Sequence, residues 1–165
     1  YRKRDWNTLL KAYNESNIVE ELYLIGNPDI KCENSKVKVL PFIPISKLMT
    51  YITNAKFSVI PLDNFNYSFA QLTLLQQMAL GVPILAADVY AIRDYIKCSN
   101  GVISYTPYDV ENLKTKLQEL SKLKETDLQK MGQSNIECTM TVLSEQQMAQ
   151  RFERICRMLC RGKEI

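Results

Sequence analysis

The apolar residues in the first two thirds of the chain alternate between two kinds of pattern. Short continuous apolar runs, bounded by Gly, Pro and Asn, predict five β-strands, at residues 22–25, 37–42, 57–61, 83–87 and 102–105. Between these runs apolar residues recur every three or four positions, which predicts helices at 5–14, 46–55, 72–79 and 91–96. Strands separated by such helices indicate an α/β fold, with a Rossmann-like parallel sheet and helices on both faces.

The last third of the chain has helical periodicity only, so we expect C-terminal helices over residues 110–160. Polar residues mark the expected helix starts. Ser46 and Asp109 are placed to act as N-caps, and Thr126 and Ser144 each begin the Ser/Thr-x-x-Gln pattern of a capping box.

Length, charge and composition exclude several classes of protein. The chain has 165 residues, the size of one domain, and its net charge of +3 is too small and too scattered to predict a nucleic-acid partner. It contains no histidine, which excludes catalytic triads, metal sites and general bases that use His. There is no GxGxxG or Walker motif, which disfavours a dinucleotide dehydrogenase and a P-loop NTPase.

The cysteines do not form a recognisable framework. They are odd in number, irregularly spaced and without a CxxC pair, at positions 32, 98, 138, 156 and 160. We therefore expect free thiols in a reducing cytoplasm and no metal site.

The expected ligand site lies beyond the carboxyl ends of the strands, where such sheets bind their ligands. The longest loop there, residues 63–71, leads into a helix whose first N–H groups can hold a phosphate. The basic run of Arg2, Lys3 and Arg4 offers counter-charge for a diphosphate. The same run is also typical of a solvated cluster near a terminus, and the spacing alone does not choose between the two.

Four segments, in order, resemble one enzyme family. Residues 71–86 (Gln-Leu-Thr-Leu-Leu-Gln-Gln-Met-Ala-Leu-Gly-Val-Pro-Ile-Leu-Ala) resemble the donor-site helix and following strand of GT-B glycosyltransferases, especially the family 4-like group 1 enzymes. Their pattern reads approximately L-L-E-A-M-A-x-G-x-P-V-(V/I)-A. Residues 92–101 are similar to their (P)-E-x-I…N-G, and residues 105–113 to their V-P-P-G-D-x-x-x-L. Residues 4–12 resemble the helix after the first strand of their C-terminal domain.

The resemblance implies the C-terminal, donor-binding half of a GT-B enzyme, with a nucleotide sugar and an N-terminal domain as its partners. It implies sugar transfer from a nucleotide-diphosphate donor to an acceptor hydroxyl, in bacterial-type polysaccharide or glycolipid synthesis. No metal or other cofactor is expected, and neither is activity of the isolated domain. The location implied is the cytoplasm, with peripheral membrane association at its inner face for the full enzyme.

The family's two donor-site acids lie eight positions apart and fall on Ser68 and Gln76, so both are replaced. Gln76 can still hydrogen-bond a ribose diol, but without charge. These replacements leave open an alternative, a non-catalytic Rossmann-like binding module. A sugar-nucleotide 2-epimerase is disfavoured, because its acidic and His residues are absent. No catalytic residue is assigned, and the expected donor-binding residues are Arg2, Lys3, Arg4, Phe42, Ile43, Ser68, Ala70, Gln71, Leu72, Thr73 and Gln76.

In the family a strand with a Gly-rich turn precedes the basic run, and it lies in the middle of the sheet. We therefore expect residues 1–165 to form one nucleotide-sugar-binding domain, truncated at its N-terminus, with five strands of its sheet. An upstream segment or another chain would then fill the gap left by the missing strand.

Overall fold

The computed structural model describes residues 4–26, 30–64 and 69–161. This part of the chain contains five strands and seven helices. In order they are α1 (Trp6–Ser16), β1 (Leu22–Ile25), β2 (Val37–Leu40), α2 (Ile45–Thr53), β3 (Ser58–Ile60), α3 (Gln71–Ala79), β4 (Ile84–Ala87), α4 (Arg93–Ile96), β5 (Val102–Tyr105), α5 (Val110–Lys122), α6 (Glu125–Thr141) and α7 (Glu145–Arg161).

All strand pairs are parallel, which confirms the predicted α/β architecture, but the strands form two sheets instead of one. The first sheet has the order β1-β2, with Leu22 opposite Val37. The second has the order β3-β4-β5, with Ile84 opposite both Ser58 and Val102. The predicted strands are present, and the pairing is interrupted between β1 and β3.

The core is centred on β4. All four of its residues are buried, as a strand paired on both sides and covered on both faces must be. Helix α3 contributes the buried residues Leu74 and Met78. Helix α5 contributes one buried apolar face, formed by Leu113, Leu117 and Leu120. The spacing of these three leucines is the helical period that predicted α5.

Three side chains cap helix starts. Asp5 Oδ1 accepts a hydrogen bond from the Thr8 N–H at the start of α1 (3.1 Å), and Asp109 Oδ1 accepts one from the Asn112 N–H at the start of α5 (2.9 Å). Ser144 Oγ accepts a bond from the Gln147 N–H, so the caps predicted at residues 109 and 144 are confirmed.

Two expected caps are wrong. Helix α2 begins one residue before Ser46, because Pro44 occupies the N-cap position with an extended backbone that leads directly into the helix. Helix α6 begins before Thr126, with Lys124 as its N-cap and no side-chain cap. Its first turn instead carries Glu125 and Asp127, whose charges favour the positive end of the helix dipole.

The expectation of five free thiols is wrong for two cysteines. Cys98 and Cys138 form a disulfide, although they are 40 positions apart in sequence. Packing of α6 against the turn between α4 and β5 brings their Cα atoms to 6.2 Å, a proximity that sequence spacing does not encode. Cys32, Cys156 and Cys160 are free.

The apolar face of helix α7 is exposed to solvent. Met148, Phe152, Ile155 and Leu159 lie along one face at helical spacing, and each is more than half exposed. None of the helices in the described part of the chain is long and apolar enough to cross a membrane.

Candidate functional site

A cavity of about 930 Å³ lies between the two sheets. Residues 22–26, which include β1, line one side, and residues 56–61, which include β3, line another. Helices α1 and α2 supply much of the remaining wall. Gly26 and Pro61 mark the rim at the carboxyl ends of these strands, where ligands bind in open parallel sheets.

Arg4 lies at this rim. The Asp5 N–H donates to the Pro61 carbonyl oxygen (3.0 Å), and Arg4 pairs with Leu62, so the chain before α1 is fixed to the end of β3. Arg4 Nη2 lies 3.4 Å from Thr73 Oγ1, a long hydrogen bond to the first turn of α3.

The Arg4 guanidinium is charged and incompletely paired. Burial lowers the pKa of Arg4, which the nearby Tyr105 opposes, but an arginine remains protonated at neutral pH. Its Nη1 is buried and has no hydrogen-bond partner among the residues described. Arg4 therefore places at the cavity a positive charge and an Nη1 donor that has no partner among the described residues.

The start of α3 presents backbone N–H groups. Ala70 is its N-cap, in the left-handed conformation at φ 67°, and it provides no side-chain hydrogen bond to the helix. N–H groups in the first turn of a helix have no partner within it. Gln71 Nε2 donates to the Ala91 carbonyl oxygen (2.8 Å), which anchors this turn to the loop between β4 and α4. Leu72 is 69% exposed.

Two further predicted residues line the same cavity. Gln76 is exposed and follows Thr73 by three positions, so both lie on one face of α3. Phe42 is 68% exposed, and its ring lies over Gly26. Gly26 has φ 87°, and a Cβ there would come within 3.1 Å of the ring, so glycine allows this approach.

Sequence reasoning missed two polar residues close to the segment that carries Arg4. Tyr105 is buried, and burial together with the charge of Asp5 raises its pKa. Asp63 is half-buried, and burial and Asp5 raise its pKa as well. Tyr105 ends β5 and Asp63 follows β3, so their positions after apolar runs were the signal that could have found them.

The predicted site residues divide into three groups. Arg4, Phe42, Thr73 and Gln76 line one cavity, and their role in donor binding stays a prediction. Ile43, Ala70, Gln71 and Leu72 are near this rim in sequence but are not among the lining residues. Arg2, Lys3 and Ser68 lie outside the described residues.

Two other features bear on the choice of site. A shallow depression of about 560 Å³ lies where Lys11 and Glu15 of α1 meet residues 107–111, and it contains none of the predicted donor-binding residues. Within the described ranges, no group of three or more Cys, Asp or Glu side chains is placed to hold a metal ion.

A family model described as glycosyl transferases group 1 matches residues 4–122, which include Arg4, Phe42, Thr73 and Gln76. The chain belongs to this family. The matched glycosyltransferase segment runs from the rim residue Arg4 through α5, and therefore contains both sheets and the cavity between them. No curated protein sequence matches the chain significantly.

Solved structures support the same fold. Sucrose-phosphate synthase from Thermosynechococcus elongatus superposes with a TM-score of 0.76 at 17% identity, over 99% of this chain and 44% of that one. WaaG, a glycosyltransferase involved in lipopolysaccharide biosynthesis, gives a TM-score of 0.67 at 18% identity, over 84% of this chain and 40% of that one. This glycosyltransferase chain thus has the fold of a Rossmann-like GT-B half, and it spans less than half the length of these two structures.

Proposed function

We propose that this chain binds the diphosphate of a nucleotide-sugar donor at the carboxyl rim of the cavity, and that it serves sugar transfer to an acceptor hydroxyl. The observation that carries the proposal is the position of Arg4. Its guanidinium contacts Thr73 in the first turn of α3, and its Nη1 is buried and finds no hydrogen-bond partner among the described residues.

This arrangement suits a diphosphate leaving group. When the glycosidic bond breaks, negative charge develops on the diphosphate, and fixed positive groups at that point stabilise the transition state. Arg4 would donate charge-assisted hydrogen bonds, and the start of α3 would add N–H donors and the positive end of its dipole.

The remaining lining residues fit the nucleoside. Gln76 would hydrogen-bond the ribose hydroxyls with its neutral amide, in place of the carboxylate of the family pattern. Phe42, held over Gly26 with an exposed ring, would contact the base. We propose that the acceptor and any group that orients it belong to an N-terminal GT-B domain, and that the isolated domain does not turn over substrate.

Calorimetry with UDP, GDP and ADP tests donor binding. We expect at least one of these to bind with millimolar or tighter affinity, and Arg4→Ala to weaken that binding about 10- to 100-fold, the usual effect of losing hydrogen bonds to a charged group. Lys11→Ala is the matched control, because it removes a cation from the distant depression and should leave affinity unchanged. Absence of binding by all three nucleotides would overturn the proposal.

The neutral Gln76 also favours a second candidate, a non-catalytic binding module of a degenerate glycosyltransferase. A turnover assay of the protein together with its N-terminal domain separates the two. Release of nucleotide from a sugar nucleotide supports the transferase. Tight nucleotide binding without any turnover supports the module.

A further inference from the structure

One bulky residue in the loop after β5 is held in an unfavourable backbone conformation. Among the described residues other than glycine, three have a positive φ: Asn17, Ala70 and Tyr108. Asn17 ends α1, a position where asparagine adopts this conformation readily. Tyr108 has φ 63°, and for so large a side chain the left-handed region is an outlier that the surrounding structure has to compensate.

Burial of the ring does not provide that compensation. Tyr108 is 55% exposed, so more than half of the side chain stays in solvent. Its hydroxyl oxygen instead accepts a hydrogen bond from the Asn64 N–H at 2.8 Å. The two residues are 44 positions apart in sequence, and their contact joins the loop after β5 to the segment after β3.

The loop that carries Tyr108 is itself anchored on the start of α5. The Thr106 N–H donates to Asn112 Oδ1 (2.9 Å), and the Asn112 N–H donates to Asp109 Oδ1 (2.9 Å). The Asp109 N–H donates to the Thr106 carbonyl oxygen (3.2 Å) and closes the turn around Tyr108. The hydroxyl is therefore presented to Asn64 from a fixed support.

Residues 61–64 are the segment on which Arg4 is held. The Pro61 carbonyl oxygen accepts the Asp5 N–H, and Leu62 pairs with Arg4. Leu62 is buried, whereas Asn64 at the other end of the segment is exposed. The Tyr108 hydroxyl thus fixes the exposed end of the segment whose buried end holds Arg4.

We propose, on the basis of the proposed function, that Tyr108 is a positioning residue for the diphosphate site. Through Asn64 it fixes residues 61–64, and through them it holds the Arg4 guanidinium beside Thr73. A cation that is held in place before the ligand arrives loses less conformational freedom on binding, so the affinity is higher. The stability given up in the backbone of Tyr108 thus serves ligand binding.

Two substitutions separate positioning from a purely structural role. Tyr108→Phe removes only the hydroxyl, whereas Tyr108→Gly removes the side chain together with the strain, because glycine adopts a positive φ freely. In calorimetry, we expect both to weaken binding of the nucleotide that binds the parent chain (UDP, GDP or ADP) about 3- to 10-fold, the usual effect of one hydrogen bond. Tyr108→Gly should nevertheless raise the melting temperature by about 3 °C. Hydrogen exchange at the Asn64 amide should be faster in both variants.

Asn17→Gly is the matched control. It also places glycine at a positive φ, but at the opposite end of α1 from Arg4, so the nucleotide affinity should not change. Equal affinities of Tyr108→Phe and the parent chain, or an equal loss of affinity in Asn17→Gly, would overturn the positioning role and leave the proposed function standing. A Tyr108→Gly variant less stable than the parent would also overturn it, since packing of the ring would then compensate the strain. If the parent chain binds none of the three nucleotides, the proposed function fails and the positioning role fails with it.

Discussion

Strands β4 and β1 are both short apolar runs in parallel sheets, yet their surroundings differ. β4 is hydrogen-bonded on both sides and all its residues are buried. β1 is bonded on one side, and among its residues only Leu24 is buried. An apolar run is thus sufficient to specify a strand. The elements that pack beside the strand decide whether its edge is covered or open to a partner.

The turns that lead into β4 and β5 are covered by α6. Asn135 is completely buried, and its Nδ2 donates to the carbonyl oxygens of Val82 (2.7 Å) and Gly101 (3.2 Å). Its Oδ1 accepts a hydrogen bond from Ser99 Oγ at 2.6 Å. The helix approaches two turns at backbone distance, since a Cβ on Gly132 would overlap the Gly81 carbonyl oxygen.

The region beside β1 has the opposite character. Within the described residues, three buried side-chain atoms lack a hydrogen-bond partner, and all belong to the segment that enters α1: Arg4 Nη1, Asp5 Oδ2 and Trp6 Nε1. Unpartnered buried polar atoms are rare in a finished interior. Arg4 and Trp6 also line the cavity, which agrees with a region that is completed by something bound there.

The largest change in stability is expected from a substitution where α6 packs against the turn at Gly81. Gly132→Ala should destabilise the fold by about 3 kcal/mol, because the new Cβ forces α6 away from the Gly81 turn. Helix propensity alone predicts the opposite sign, since alanine is the better helix former. Urea unfolding measures the change, with Gln129→Ala on an exposed position of α6 as the control. A stabilised Gly132→Ala variant would show that the tight contact is absent.

A smaller effect is expected at the amino ends of β1 and β3. Glu20, which precedes β1, contacts Lys56, which precedes β3, and Ser121 of α5. Glu20 Oε1 lies 2.6 Å from Lys56 Nζ, and Ser121 Oγ donates to its Oε2 at 2.7 Å. Burial alone would raise the pKa of Glu20, but the hydrogen bonds from Lys56 and Ser121 outweigh it, and the pKa is lowered. The carboxylate therefore stabilises the fold above its unfolded-state pKa, and this contribution is lost as pH falls through the folded-state pKa.

Glu20→Gln should accordingly cost about 1 kcal/mol at pH 7, as expected for one partly buried charge-assisted pair. The difference from the parent chain should shrink toward zero as the pH falls below about 4, the ordinary range of a Glu carboxyl. Unfolding curves at both pH values measure this, with the exposed Glu33→Gln as control. A difference that is equal at the two pH values would exclude the ion pair as its cause.

Much of this architecture could be predicted from the sequence, because it depends on the spacing of apolar and capping residues over short stretches of the chain. The strands and the buried leucines of α5 follow from it, as does the Asp109 cap. The contacts that depend on long-range packing could not be predicted, among them the Cys98–Cys138 disulfide and the fit of Gly132 against Gly81. For the candidate site, the family pattern supplied positions such as Thr73 and Gln76, which line the same cavity as Arg4. Asp63 and Tyr105 were missed because only the fold brings them near Arg4.

The central claim is that a nucleoside diphosphate binds at the carboxyl rim of the cavity between the sheets. NMR titration of the isotope-labelled protein with the nucleotide that binds in calorimetry tests it most directly. The account predicts that the amide resonances of Arg4, Gly26, Thr73 and Gln76 shift together with one saturation curve. Shifts confined to the depression at residues 107–111, with the rim resonances unchanged, would contradict it.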